Sequence, residues 1–232
     1  MAKFVKVCLW VGLVVASAGC TLNRSFIEVP VPSESLIKPN GKQVYIRSII
    51  DNRQFQDQPS TPDIPSLGFD ELKNATPALK SRAIGRKRNC FGKALGDIML
   101  DEGQNVEMIV RAATRNALNS LGYDVTDKRE ETKPDAITMD IAIDKFWSYF
   151  APGFWAISLK SEITTTNTIS VPGKDNPVVI MATAEENFQV ASDANWKKVL
   201  RLAVDDFTAE AKTKLQGLEL SHDVSTDNKT GN

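Results

Sequence analysis

Histidine occurs once in these 232 residues and cysteine only three times. The single histidine, His222, sits in a polar stretch near the C-terminal end, which leaves no Ser-His-Asp or Cys-His arrangement for nucleophilic catalysis. Zinc motifs of the His-Glu-x-x-His kind are missing for the same reason. Cys8, Cys20 and Cys90 are too few and too scattered for a disulfide framework, and Cys90 reads as a tolerated thiol. Neither sign of charge is in excess: 28 Lys and Arg face 29 Asp and Glu, and nothing in that balance demands a polyanionic partner. Carboxylates offer little more. Asp140 and Asp144 share a strand face, but four residues of extended chain separate them by ~13 Å, wider than the acid pairs of glycosidases. Asp205-Asp206 and Glu185-Glu186 are neighbours whose side chains diverge. No catalytic residue, cofactor or metal is assigned on these grounds, and a noncatalytic role is expected.

The first twenty residues are the most informative. Lys3 and Lys6 precede a nearly continuous apolar run that ends in Ser17-Ala18-Gly19-Cys20. A basic start, a greasy middle and small residues at the end are the layout of a secretory signal peptide. The run falls short of the ~20 residues that a membrane-crossing helix needs. Cys20 directly after Ala-Gly resembles the lipobox of bacterial lipoproteins, which implies cleavage after residue 19 and a lipid on Cys20. The alternative is cleavage near Ala18 with Cys20 left as a free thiol. At ~0.8 kcal/mol per buried methylene, two or three acyl chains would anchor the chain durably. Thr21, where an Asp is absent, implies by the same resemblance an outer-membrane, periplasm-facing destination.

Residues 20–42 carry Pro30, Pro32 and Pro39 and no periodicity, and are expected to form a lipidated N-terminus and a flexible tether. A single domain is expected over 43–218, with a polar tail at 219–232. It begins with a strand over 44–50, stopped at Asp51-Asn52-Arg53. A long loop follows over 54–103, with short helix expected near 69–72 or 75–83. Asn105 is expected to cap a helix through Ser120, with Val106, Ile109, Val110, Ala113 and Ala117 inward and Gly122 ending it. Alternation then predicts three strands, at 137–143, 155–171 and 178–190, paired antiparallel through short connections. Glu186 breaks the inward phase of the third, which a bulge would explain. Ser192 or Asp193 opens a last helix with a stripe from Trp196 to Leu218, ended by Gly217.

Two stretches are candidate binding surfaces. The back of the long loop is basic, with Arg86, Lys87 and Arg88 at its centre and Gly85, Gly92 and Gly96 between the charges. Such a loop can hold an anion such as a phosphorylated lipid or glycan, or its arginines can simply pair with Asp97, Asp101 and Glu102 in solvent. It lacks the spacing and the Ser/Thr of a P-loop. The segment 146–155 holds six aromatic residues, among them Trp147, Tyr149, Phe150 and Phe154. One strand face cannot bury them all, and Pro152-Gly153 marks a turn. Rings are therefore expected either at an exposed hairpin tip, meeting a partner, sugar or membrane, or packed under the 54–103 loop.

Both helices need a sheet face to cover their stripes. The expected fold is α+β, a two-layer sandwich of a mostly antiparallel sheet with two helices on one face. In Cys20, the helix ending at Gly122-Tyr123, the stretch 137–143 and the final helix, the chain resembles the YajG-like bacterial lipoproteins. That resemblance implies no catalytic activity. The expected function is that of an outer-membrane-anchored lipoprotein binding an envelope protein or an anionic glycolipid, with no nucleic-acid partner. The alternative is a lipid- or glycan-processing enzyme or carrier.

Overall fold

The computed structural model describes residues 24–30, 37–68, 71–89, 92–152, 157–171 and 174–216. Cys20, Cys90, Gly153, Phe154, Trp155, Gly217 and His222 lie outside these residues. The chain runs through β1 (Ser25–Ile27), β2 (Gln43–Asp51), a 3-10 turn (Glu71–Asn74), α1 (Pro77–Arg82), β3 (Ala83–Arg88) and β4 (Ala94–Leu100). It continues with α2 (Val106–Asn119), β5 (Asp124–Thr126), a second 3-10 turn (Arg129–Glu131), β6 (Ile137–Pro152), β7 (Ile157–Val171), β8 (Lys174–Phe188) and α3 (Asp193–Leu215).

All eight strands join one sheet with β6 at its centre. On one side β7 runs antiparallel along the whole of β6, and β8 follows antiparallel. The other side of β6 is divided. Its first half pairs parallel with β2, from Val44 opposite Ile137 to Asp51 opposite Ile143. Its second half meets β3, also parallel, at Gly85 opposite Ser148. Beyond β2 lies parallel β5, and beyond β3 lie antiparallel β4 and then parallel β1. The expectation of a mostly antiparallel sheet is thus corrected to a mixed one. Short connections enforce antiparallel pairing in the β6–β7–β8 meander and the β3–β4 hairpin, whereas the long path from β2 to β6, through α1, that hairpin and α2, allows parallel pairing.

Two other expectations are corrected. Residues 54–103 are not one irregular loop, because 83–100 forms the β3–β4 hairpin. Within the expected tether of residues 20–42, the described part 24–30 is not free: Ser25–Ile27 is a sheet strand, and Ile27 and Val29 are buried in the main core.

Helix α2 begins where the side chain of Asn105 accepts the amide of Met108 at 2.8 Å. It ends before Gly122, whose φ of +86° and close approach to the Lys38 carbonyl favour glycine. Ser192 caps α3, accepting the amide of Asn195. Val106, Ile109, Val110, Ala113 and Ala117 of α2 and Trp196, Val199, Leu200, Ala203, Val204 and Phe207 of α3 are buried together with one face of the sheet in a single apolar cluster. Glu186 follows the register of β8 without the expected bulge. It is half-buried and satisfied by an ion pair with Lys198 of α3.

The bulge lies instead in β6. Between Ile143 and Lys145 the register against β7 slips by one residue at Asp144. The phase of the strand therefore inverts. Met139, Ile141 and Ile143 face the helices, and so, beyond the bulge, do the even-numbered Phe146 and Phe150. Trp147 turns to the opposite face, into a second cluster with Leu67, Ala83 and Met99, packed against Phe55, Leu72, Ala75, Leu79 and Tyr149. The segment 54–82 is the lid of that cluster, a partial third layer.

Arg53 joins these parts at the point where β2 ends and β3 begins along the same side of β6. Its side chain has no solvent exposure. Nε and Nη2 clamp the two oxygens of Asp51 at 2.7 and 2.8 Å. Nη1 donates to the carbonyls of Ala83 and Phe146 at 2.6 and 2.9 Å, and Nη2 to that of Lys80 at 2.7 Å. Every N–H of the guanidinium is used. Arg53→Met is expected to lower unfolding stability by about 3–5 kcal/mol, because Asp51 loses its counter-charge and the carbonyls of Ala83 and Phe146 lose their guanidinium donor in a dry site, while that of Lys80 keeps only the Ala83 amide. Chemical denaturation with matched slopes would check this; a loss under 1 kcal/mol would refute the role of Arg53 as the joint.

Candidate functional site

The basic residues of β3 do not form one surface. Arg86 and Arg88 lie on the face covered by the 54–68 segment, and the intervening Lys87 points to the other. Lys87 donates to Asp193 at 2.9 Å and also bonds Ser25, tying β1, β3 and the start of α3 together. It is a structural cross-link, which removes it from the anion-binding candidates. Arg86 is 8 % exposed and its Nη1 donates to the Leu67 carbonyl. Arg88 donates through Nη1 to the Gly92 carbonyl at 3.0 Å, across the hairpin turn. The Nε atoms of both arginines are buried without a hydrogen-bond partner. Burial, reinforced by the neighbouring charge of Arg86, moves the Arg88 pKa below its ordinary value.

Arg86 and Arg88 line a cleft of about 390 Å3 with Asp57, Gln58, Pro59, Leu67, Gly92, Lys93 and Ala94. Lys93 is not among the residues that the sequence singles out for binding; it joins the cleft because the hairpin, closed by bonds between Lys93 and Asn89, brings it to the same lining as Arg88. Among the described residues, the acids expected to neutralise these arginines form no ion pair with them. Asp97 lies opposite Arg86 in the β3–β4 ladder, but its Oδ2 is taken by the Gly68 amide at 3.3 Å and by Arg24 at 3.5 Å. β3 can approach β6 this closely because residue 85 is glycine: a Cβ there would lie 2.7 Å from the Ser148 carbonyl oxygen.

The aromatic candidates are not at an exposed tip. Trp147, Tyr149 and Phe150 belong to the body of β6. Trp147 is 1 % exposed, donates Nε1–H to the Pro62 carbonyl at 3.0 Å, and meets Phe55 edge-on at a centroid distance of 6.1 Å. Phe150 is buried in the main core. Tyr149 is half-buried, donates its hydroxyl to Glu162 at 2.7 Å, and lies beneath the ammonium of Lys145. Burial, then that hydrogen bond to Glu162, pushes the Tyr149 pKa well above its ordinary value. Of the two arrangements expected for these rings, the structure adopts packing under the 54–82 segment for Trp147 and Tyr149 and core packing for Phe150. The tip itself, with Phe154, lies outside the described residues.

The strand acids are engaged in the same way. Asp140 receives Arg47 through both oxygens and the hydroxyl of Ser48 at 2.6 Å. Asp144 receives Asn52 at 3.2 Å and Thr166 at 2.7 Å. Among the described residues no group of His, Cys, Asp and Glu is arranged to hold a metal ion.

The hydrogen bond from Arg47, with help from Ser48 and the Arg47 charge, holds the Asp140 pKa below the ordinary aspartate value. The linked stability is present above that ordinary value and is lost as pH falls through the lowered one. The stability gap between wild type and Asp140→Asn should therefore shrink in acid and stay constant near neutrality, as read from urea midpoints across pH. Trp147→Ala should cost about 3–5 kcal/mol and expose 56–67 to limited proteolysis. Intact resistance of that segment would argue against Trp147 as the anchor of the lid.

No family model matches the chain, and no curated protein matches it either. Several solved structures are similar in part. An uncharacterised protein aligns with a TM-score of 0.43 at 11% identity, over 87% of this chain and 99% of its own. XCC0632 from Xanthomonas campestris, of family DUF330, aligns with a TM-score of 0.47 at 12% identity, over 85% of this chain and 99% of its own. PelC from Paraburkholderia phytofirmans aligns with a TM-score of 0.33 at 9% identity, over 78% of this chain and 95% of its own. At these values the likeness carries neither family membership nor function to this chain.

Proposed function

We propose that this chain is an exported lipoprotein, anchored through Cys20 at the periplasmic side of the outer membrane, and that its domain binds an envelope component without chemical turnover. The observation that carries this reading is the joint pattern of Lys3, Lys6, the apolar run and Ala18-Gly19-Cys20. The position of β1 supports it. Ser25 is five residues beyond Cys20, so the anchor stands within about 18 Å of the sheet even when the link is fully extended. The β1–β4–β3 side then faces the bilayer. Phe26, 53 % exposed with the guanidinium of Arg82 over its ring, lies on that side, an apolar and cationic pair suited to a headgroup zone. The noncatalytic part of the reading draws support from Asp140, Asp144, Glu162 and Glu185, each tied to a cation or hydroxyl rather than paired with another acid.

Mass spectrometry of the purified native chain is expected to find Cys20 as the first residue, bearing acyl mass, and detergent phase separation to place it in the detergent phase. Cys20→Ser should move the chain to the aqueous phase. A mature N-terminus elsewhere, with no acyl mass on Cys20, would end this proposal.

A further inference from the structure

The cleft between residues 57–67 and the β3–β4 hairpin has a charge pattern that the fold itself leaves incomplete. Two guanidinium groups, Arg86 and Arg88, stand two residues apart on one strand face with a lysine, Lys93, at the rim. The lining acid is Asp57 alone; Asp97 stands behind the cleft at Gly68 beside Arg86, with its ion pair to Arg24, and offsets part of the Arg86 charge from that side. Arg86 is more than nine-tenths buried, and its Nε–H, like that of Arg88, meets no acceptor. Buried donors are ordinarily satisfied, those of a cation above all. Like charges that face each other away from water are also unfavourable, and both arginines lose exposure here. An anion at the mouth of the cleft would offset the repulsion between the two guanidinium groups, although their Nε atoms lie below the surface it touches.

The chemistry selects among anions. A lone carboxylate offsets one cation, whereas two guanidinium groups and an ammonium around one cleft suit the higher charge and additional oxygens of a phosphate. The cleft's volume of about 390 Å3 falls within the roughly 300–1,000 Å3 of small-molecule sites, so the phosphate has room for an attached glycerol or sugar. We infer that this cleft is a binding site for a phosphate ester, with Arg86 and Arg88 gripping the phosphoryl oxygens and Lys93 closing the rim. The inference gives the binding role proposed above a ligand class and rests on it for its setting near a bilayer, where the ester would be a lipid headgroup. Binding in solution does not require the anchor.

The test is calorimetric titration of the purified full chain, in detergent, with glycerol phosphate. Saturable binding is expected, weakened about ten- to a hundred-fold by Arg88→Gln or Lys93→Gln and unchanged by Lys87→Gln, which removes an equal charge from the opposite face. Arg88 and Lys93 are the informative positions because Arg86 also holds the 67 carbonyl, and its loss would disturb the lid. Absence of saturable binding, or an equal loss in Lys87→Gln, would overturn the site. A second arm places the chain in phosphatidylcholine vesicles with or without phosphatidic acid. A raised apparent Kd for glycerol phosphate when phosphatidic acid is present identifies the lipid headgroup as occupant, and an unchanged Kd identifies a soluble ester; either supports the site. Cys20→Ser should bind glycerol phosphate as wild type does, which separates failure of the anchor from failure of the cleft.

Discussion

One buried guanidinium determines whether this sheet has one axis or falls into two pieces. β2 and β3 follow each other along the same side of β6, and between them the ladder is interrupted. The carbonyls of Ala83 and Phe146 would lose a partner at that interruption, each at about 1–3 kcal/mol, and that of Lys80 would keep only the Ala83 amide. Arg53 supplies them all and neutralises itself on Asp51. Burying such a charge unpaired would cost several kcal/mol, so the arrangement stabilises only because it is complete. The position of β3 follows from it, and with β3 the hairpin, the lid over Trp147 and the two-faced row of cations.

The legible parts of this fold were those with uninterrupted periodicity. α2 and α3 showed their stripes and caps, and β7 and β8 their alternation, because one neighbour buries one face throughout. The illegible parts have local signals that contradict their tertiary role. Gly85 and the run Arg86-Lys87-Arg88 look like a solvated loop, yet Gly85 is there for close approach to Ser148 and the arginines are under a lid. A one-residue bulge at Asp144 divides the aromatic segment between two faces, and nothing in the residues around it announces the slip. Ser25–Ile27 is too short to declare itself and becomes a strand only because β4 offers an edge.

The same alternation decides which charges are structural and which are available. Lys87 is spent on Asp193 and Ser25, whereas Arg86 and Arg88 on the other face retain donors with no acceptor. The basic cluster is visible in the sequence but its two faces are not, since strand assignment is needed before neighbours can be assigned to opposite faces. Lys93 reached the site through the turn at Gly92, whose φ of +79° reverses the chain.

The parallel partnership of β2 with β6 has a cost during synthesis. Val44 and Ile46 pair with Ile137 and Met139, which are made long afterwards, and even the β5 partner of Val44, Val125, follows it by about eighty residues, so an early part of the core is covered late. Such distant pairing slows folding and prolongs exposure of sticky strands. In a chain built this way the central pairing closes only after β6 has emerged, so the sheet is completed late.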